Sequence, residues 1–137
     1  LACIWIVLVV VATDMGGYFA GRLIGGPKLW PAVSPKKTWA GLAGAVGLAS
    51  ATGFLFSSAT TGTYYEEVCT VSAAAALLAQ AGDLGESALK RHAGVKDSSG
   101  LLPGHGGVLD RCDGLMAATL VLAAVTWWRG ETVFIWS

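Results

Sequence analysis

Residues 39–60 read WAGLAGAVGLASATGFLFSSAT, 22 consecutive positions without a charge. A helix needs about 20 predominantly apolar residues to cross a hydrocarbon core about 30 Å thick, so this stretch is long enough to span a bilayer. Its composition is small-residue rich, with Gly41, Gly44 and Gly47 among many alanines. Where lipid removes the hydrophobic drive between helices, such residues let backbones approach closely. Working outward, three more apolar stretches appear. Leu1 to Thr13 (LACIWIVLVVVAT) carries no charge and is short for a full span, which suits a helix cut at its N-terminal side. Val68 to Gly82 reaches bilayer length only if its helix continues through Asp83 to Leu89. Gly114 to Trp128 ends in a Trp pair suited to the membrane interface. Helices are therefore expected at about 1–22, 39–60, 68–92 and 108–128, in a single membrane-embedded region. The expected fold is all-α: a polytopic transmembrane bundle whose Gly/Pro-rich loops form a polar cavity.

Composition agrees. The chain of 137 residues is 54% hydrophobic and only 13% charged, against about 25% charged in soluble domains. Nine Lys+Arg balance nine Asp+Glu, so the basic field that a nucleic-acid binder relies on is missing and no nucleic-acid partner is expected. Cys3, Cys69 and Cys112 are isolated and odd in number, which excludes a disulfide framework or a CxxC zinc site and leaves them as small apolar packers. The chain opens on Leu1 with no charged segment ahead of its apolar run. A signal peptide is therefore a poor fit, and a piece of a longer protein is expected.

Fourteen of the 18 charges fall in two segments, Asp14 to Thr38 and Asp83 to Asp113, whereas Thr61 to Glu67 holds only Glu66 and Glu67. Two crossings separate the basic segments, so they share one side, and the positive-inside rule makes that side cytoplasmic. The first segment, GRLIGGPKLWPAVSPKK, cannot continue as helix through Pro27, Pro31 and Pro35. It is expected as a loop rich in backbone NH groups, a phosphate cradle ending in Lys36 and Lys37.

Asp83 opens DLGESALKR, in which Asp83, Ser87 and Lys90 share a helical face. An ionisable residue at the membrane end of a helix is costly unless paired, metal-bound or facing water, and reads as functional; helix capping is the plainer alternative. Downstream, KDSSGLLPGHGGVLDRCD sets His105 in a Gly-rich turn and Asp110 and Asp113 at i, i+3, on one helical face around Arg111. Hard oxygen donors of this kind suit Mg²⁺, which commonly bridges carboxylates to substrate phosphates. A solvated loop with charged helix ends is the alternative reading. Asp14 lies four residues before Tyr18 and eight before Arg22, one face if the helix passes the glycines, and either pairs a cation or serves structure.

The run Ser87-Ala-Leu-Lys-Arg, four residues, Lys96-Asp97, then Pro103-Gly-His-Gly-Gly-Val-Leu-Asp-Arg-Cys-Asp113 closely resembles the signature of the phosphatidate cytidylyltransferase (CDP-diacylglycerol synthase) family, as do DMGGYFAGRLIGGPKL and SPKKTWAG upstream. The resemblance covers most of the chain from Asp14 to about Asp113 and corresponds to the family's C-terminal, catalytic half. Two positions depart from the pattern: Cys112 stands where an aliphatic residue or Thr is usual, and Ala40 where Glu is frequent. The resemblance implies an integral protein of a bacterial inner or cell membrane that condenses CTP with phosphatidic acid on the cytoplasmic side, as a homodimer. It implies Mg²⁺, with K⁺ at a second position. Asp83, Asp110, Lys90, Arg111 and His105 are then the catalytic candidates. Asp83, Asp110 and Asp113 are the metal candidates, and Ser34, Lys36, Lys37, Ser87, Arg91, Lys96 and Asp97 the substrate contacts, Asp97 also being a candidate further ligand. Related CTP-dependent polyprenol or phytol kinases and cytidylyltransferases would share the chemistry. CDP-alcohol phosphotransferases are disfavoured, because Asp113-Gly114 is followed by LMAATLVL and not by their Ala-Arg pair. A transporter could also place Asp and Lys at broken helix ends, but the concentration of charge on one side favours the enzyme.

Overall fold

The computed structural model describes residues 2–60, 65–94 and 106–130, with the side chains of 106–114 outside that description. Four helices carry the fold: α1 (Ala2–Leu23), α2 (Trp39–Thr60), α3 (Tyr65–His92) and α4 (Gly106–Arg129). A two-stranded antiparallel hairpin, β1 (Lys28–Trp30) and β2 (Ser34–Thr38), joins α1 to α2. Three helices, α1, α2 and α3, are long and apolar enough to cross a membrane, and Leu115–Arg129 of α4 is a shorter apolar helix. At 1.5 Å per residue the 22 residues of α1 or α2 span about 33 Å. The 28 residues of α3 span about 42 Å, so its polar end from Asp83 onward projects past a hydrocarbon core of about 30 Å.

Small residues face inward and large ones outward. In α2 the buried positions are Gly41, Ala45, Ala49, Gly53 and Ser57, every fourth residue and therefore one ridge of the helix. Leu48, Phe54 and Leu55 of the same helix are exposed, as are Val7, Leu8, Val11, Leu77, Leu78 and Leu120 of the others. A soluble monomer rarely leaves so much apolar surface uncovered, whereas lipid tails solvate it without cost. Inside, Trp5, Ile6 and Val9 of α1, Ala49 of α2, Val68, Val71, Ala75 and Ala76 of α3, and Ala118 and Val121 of α4 form one core cluster. Two buried hydroxyls are satisfied within their own helices: Thr13 Oγ1 donates to the Val9 carbonyl at 2.7 Å and Ser72 Oγ to that of Val68 at 2.6 Å. Of the cysteines, Cys69 is half-buried with its Sγ 3.5 Å from the Ser50 carbonyl oxygen, but Cys3 is exposed on α1 and does not pack inside.

The closest approach is between α1 and α2. A Cβ on Gly44 would overlap the Ala20 methyl and lie 2.7 Å from the Gly16 carbonyl oxygen. One on Gly16 would run into the Gly44 carbonyl and stand 3.0 Å from Leu48 Cβ. Gly53 approaches α3 in the same way, where an added Cβ would collide with Ser72. Gly47, which the sequence groups with Gly41 and Gly44, would meet nothing within 4 Å, so it takes no part in helix contact.

The expected loop between α1 and α2 is the hairpin. Gly25 and Gly26, at φ 63° and 99°, stop α1 just before Pro27, and the Val33 amide donates to the Trp30 carbonyl at 3.2 Å to close the turn through Pro31. The pairing is irregular. Lys28 faces Thr38 and Trp30 faces Ser34, so two steps on β1 span four on β2, and Pro35, Lys36 and Lys37 bulge. Proline has no amide to contribute to a ladder and is tolerated at such a bulge. At the base, the Trp39 amide donates to the Pro27 carbonyl at 3.1 Å, and Thr38 Oγ1 accepts the Gly41 amide at 3.1 Å as the N-cap of α2.

Two substitutions test this packing. Gly44→Ala is expected to lower stability by about 1–3 kcal/mol through overpacking, whereas Gly47→Ala is expected to be neutral or to stabilise by up to about 1 kcal/mol through helix propensity. Far-UV circular dichroism of the chain in mixed micelles titrated with a denaturing detergent reads both, and equal effects would contradict the backbone contact. In the same assay Thr38→Ala is expected to lose about 0.5–2 kcal/mol of capping and Thr38→Ser to retain most of it.

Candidate functional site

The hairpin and the polar end of α3 meet. Lys37 Nζ lies 2.5 Å from Asp83 Oδ2, with the two side chains 19% and 55% exposed, and donates to the Gln80 carbonyl oxygen at 3.5 Å. This contact joins the two charge-dense segments, 43 positions apart between Lys37 and Gln80. The local cause is the bulge: it leaves Lys36 exposed while Lys37 turns toward α3. A β-bulge commonly re-aims a side chain in this way.

Asp83 stands inside a continuous helix, so it neither caps nor ends α3. Ser87 lies one turn on and is half-buried. Lys90 pairs with Glu86 at 2.5 Å along the same helix, a residue to which the sequence pattern assigned no role. Arg91 is exposed near the helix end, and Ser34 is half-buried at the start of β2. Asp14 is exposed on α1, whose helix does continue past Gly16 and Gly17. Arg22 Nη1 donates to Tyr18 Oη at 2.6 Å there.

The α3–α4 register comes from the far end of the bundle. Arg129 makes a forked ion pair with Glu67, Nη1 to Oε2 at 2.5 Å and Nη2 to Oε1 at 3.0 Å. The helices are thus antiparallel. Asp83 lies 16 residues beyond Glu67, and Asp113 lies 16 residues before Arg129, so the two stand at about the same level and Asp110 falls about one turn away. Asp110, Arg111 and Asp113 belong to the first turns of α4, which begins at Gly106, in what the sequence reads as a turn. Their side chains, together with Lys96, Asp97 and His105, lie outside the described residues.

Among the described residues no group of three His, Cys, Asp or Glu gathers as a metal cage. The donor chemistry nevertheless suits a cation. An ammonium already stands there on two hard oxygens, the Asp83 carboxylate and the Gln80 carbonyl. Mg²⁺ takes one or two carboxylates and fills its remaining positions with water or substrate phosphate, so a full protein cage is not required. Sequence pattern alone missed Gln80, Glu86, the capping Thr38 and the Glu67–Arg129 pair. Two of these were there to be read: the Glu86–Lys90 spacing, i to i+4, and a Thr directly before the apolar helix.

A cytidylyltransferase family model matches residues 1–128. Among curated relatives, the chain is 47% identical over 119 residues to the phosphatidate cytidylyltransferase of Brucella suis biovar 1 (strain 1330), covering 87% of this chain and 44% of that protein. It is 42% identical over 140 residues to that of Helicobacter pylori (strain ATCC 700392 / 26695), covering 98% and 52%. To that of Bacillus subtilis (strain 168) it is 44% identical over 110 residues, covering 80% and 41%. The chain spans about half the length of the relatives it matches. With a family model matched across 128 of its 137 residues, over both segments that meet at Lys37 and Asp83, the chain belongs to the cytidylyltransferase family.

Proposed function

We propose that the protein carrying this chain condenses CTP with phosphatidic acid to give CDP-diacylglycerol and pyrophosphate, at the cytoplasmic face of the membrane its helices span. The observation that carries the reading is the Lys37–Asp83 contact, which puts a carboxylate of one segment beside a cation of the other at the end of an apolar bundle. The relatives' name, phosphatidate cytidylyltransferase, supports the choice of substrates.

The chemistry asks for what this end of the molecule offers. The attacking group is a phosphate monoester oxygen, already ionised at neutral pH, so no strong general base is needed. It bonds to the α-phosphorus of CTP, the α–β phosphoanhydride bond breaks, and pyrophosphate leaves with the electron pair. The obstacle is the approach of two anions, and the remedy is charge neutralisation and alignment. Asp83 and Asp110 hold Mg²⁺, with Asp113 and Asp97 as further ligands and K⁺ as a second cation; when bound, Mg²⁺ neutralises and orients the polyphosphate oxygens. Lys36, Lys37, Lys90, Arg91, Lys96 and Arg111 receive the phosphates of CTP and lipid, and Ser34, Ser87 and His105 donate hydrogen bonds to them. The lipid enters sideways from the bilayer and CTP from water. A homodimer is part of the same reading.

In membranes bearing the full-length protein, radiolabelled CTP, Mg²⁺ and phosphatidic acid are expected to yield a chloroform-soluble CDP-lipid, and failure to do so would refute the proposal. Asp83→Asn and Asp110→Asn are each expected to lower this turnover by at least about 10²-fold, in the range of lost transition-state electrostatics, with the protein still inserted. Near-normal activity would remove those carboxylates from the metal site.

A further inference from the structure

We propose that Lys37 is a built-in placeholder for the cation at Asp83. Without a divalent ion its ammonium occupies the carboxylate. When the ion arrives with a nucleoside triphosphate, Lys37 leaves Asp83 and transfers to the phosphate oxygens. This deepens the function proposed above and rests on its assignment of Asp83 as a cation ligand.

Three observations carry it. First, Lys37 Nζ already places a positive charge on the oxygens a cation would use, 2.5 Å from Asp83 Oδ2 and 3.5 Å from the Gln80 carbonyl oxygen. Second, the geometry allows exchange. The Asp83 side chain is 55% exposed, so water and ions reach it, while Lys37 is 19% exposed and tucked against α3. Its flexible four-carbon stem can move the head group while the backbone stays fixed, and the backbone is fixed: Thr38 caps α2, and Trp39 is tied to Pro27 at 3.1 Å. Third, the neighbouring Lys36 is exposed and makes no such contact among the described residues, so at Asp83 the arrangement belongs to one lysine.

The physical logic is charge conservation at the end of an apolar bundle. A bare carboxylate there is costly, and the lysine neutralises it before ligand arrives. A divalent ion carries twice the charge of an ammonium and displaces it. The ammonium so released stands beside the triphosphate that came with the ion, where it finds a new anion. Lys37 therefore opposes the cation when nucleotide is absent and assists it when nucleotide is present, which couples the two binding events, and that coupling is reciprocal.

The test is Mn²⁺ binding to the full chain in detergent, followed by the electron paramagnetic resonance of free Mn²⁺, with and without a non-hydrolysable CTP analogue. Without nucleotide, Lys37→Met is expected to bind Mn²⁺ roughly five-fold or more tightly than the unaltered chain. Lys36→Met, which removes the same charge one residue away, is expected to change affinity far less. Lys37→Arg, whose guanidinium grips a carboxylate through two hydrogen bonds, is expected to weaken it, so the two Lys37 variants shift affinity in opposite directions. With the nucleotide analogue the gain of Lys37→Met is expected to vanish or reverse. Equal effects of Lys37→Met and Lys36→Met, or a Lys37→Arg chain that binds Mn²⁺ as the unaltered chain does, would overturn the placeholder while leaving Asp83 as a ligand. If Asp83→Asn binds Mn²⁺ as well as the unaltered chain, the assignment of Asp83 as a ligand falls, and the placeholder with it, whereas the function proposed above stands or falls on the CDP-lipid assay.

Discussion

Gly16 and Gly44 let α1 and α2 meet backbone to backbone, and the arrangement of the aqueous end depends on that contact. In lipid, apolar surface gains nothing by leaving its surroundings, so helices associate through close packing and not through expulsion of water. Small residues in the inward stripe provide the packing, and large residues are left on the outside for the acyl chains. Because α1 and α2 are drawn together, the segment between them must turn within a short distance. The hairpin is that turn, anchored by Thr38 at one foot and Pro27 at the other.

From this clamp the placement of Lys37 follows. Its partner Asp83 lies on a helix that is apolar for about a bilayer's thickness and polar thereafter, so the carboxylate emerges at the level where the hairpin sits. With Asp83 more than half exposed, the ion pair adds little to stability. What it does is place two charge-bearing segments in register. The Glu67–Arg129 fork at the opposite end does the same for α3 and α4, bringing Asp113 and Asp110 to the level of Asp83 along the helix axes. Ion pairs at opposite ends of α3 thus mark its register against the hairpin and against α4.

Much of the architecture was legible in the residues. Trp39–Thr60 declared itself by length and lack of charge, and the separation of Lys28, Lys36 and Lys37 from Glu66 and Glu67 already put two segments on one side. The SPKK and DRCD motifs pointed to the family. The hairpin was not legible: three prolines and paired glycines read as a loop, because each breaks a helix and none signals the irregular pairing that makes Pro35 tolerable in a strand. Nor could composition separate Gly44 from Gly47, since three positions along a helix turn a residue by most of a revolution, and which face meets α1 depends on the crossing of the two helices.

The sequence by itself determined that the chain offers helices long and apolar enough for a bilayer, and that most of its charge collects in two segments at one end of the bundle. These follow from local composition, because a charge cannot be hidden in hydrocarbon and a helix cannot cross it below a certain length. Only the tertiary structure decided that Lys37 and not Lys36 meets Asp83, that a helical carbonyl three residues earlier joins that contact, and that Asp83 and Asp113 lie level. Those facts depend on the twist of a bulged strand and on the register of two antiparallel helices. Both are set by contacts between residues distant in the chain, which no local pattern records.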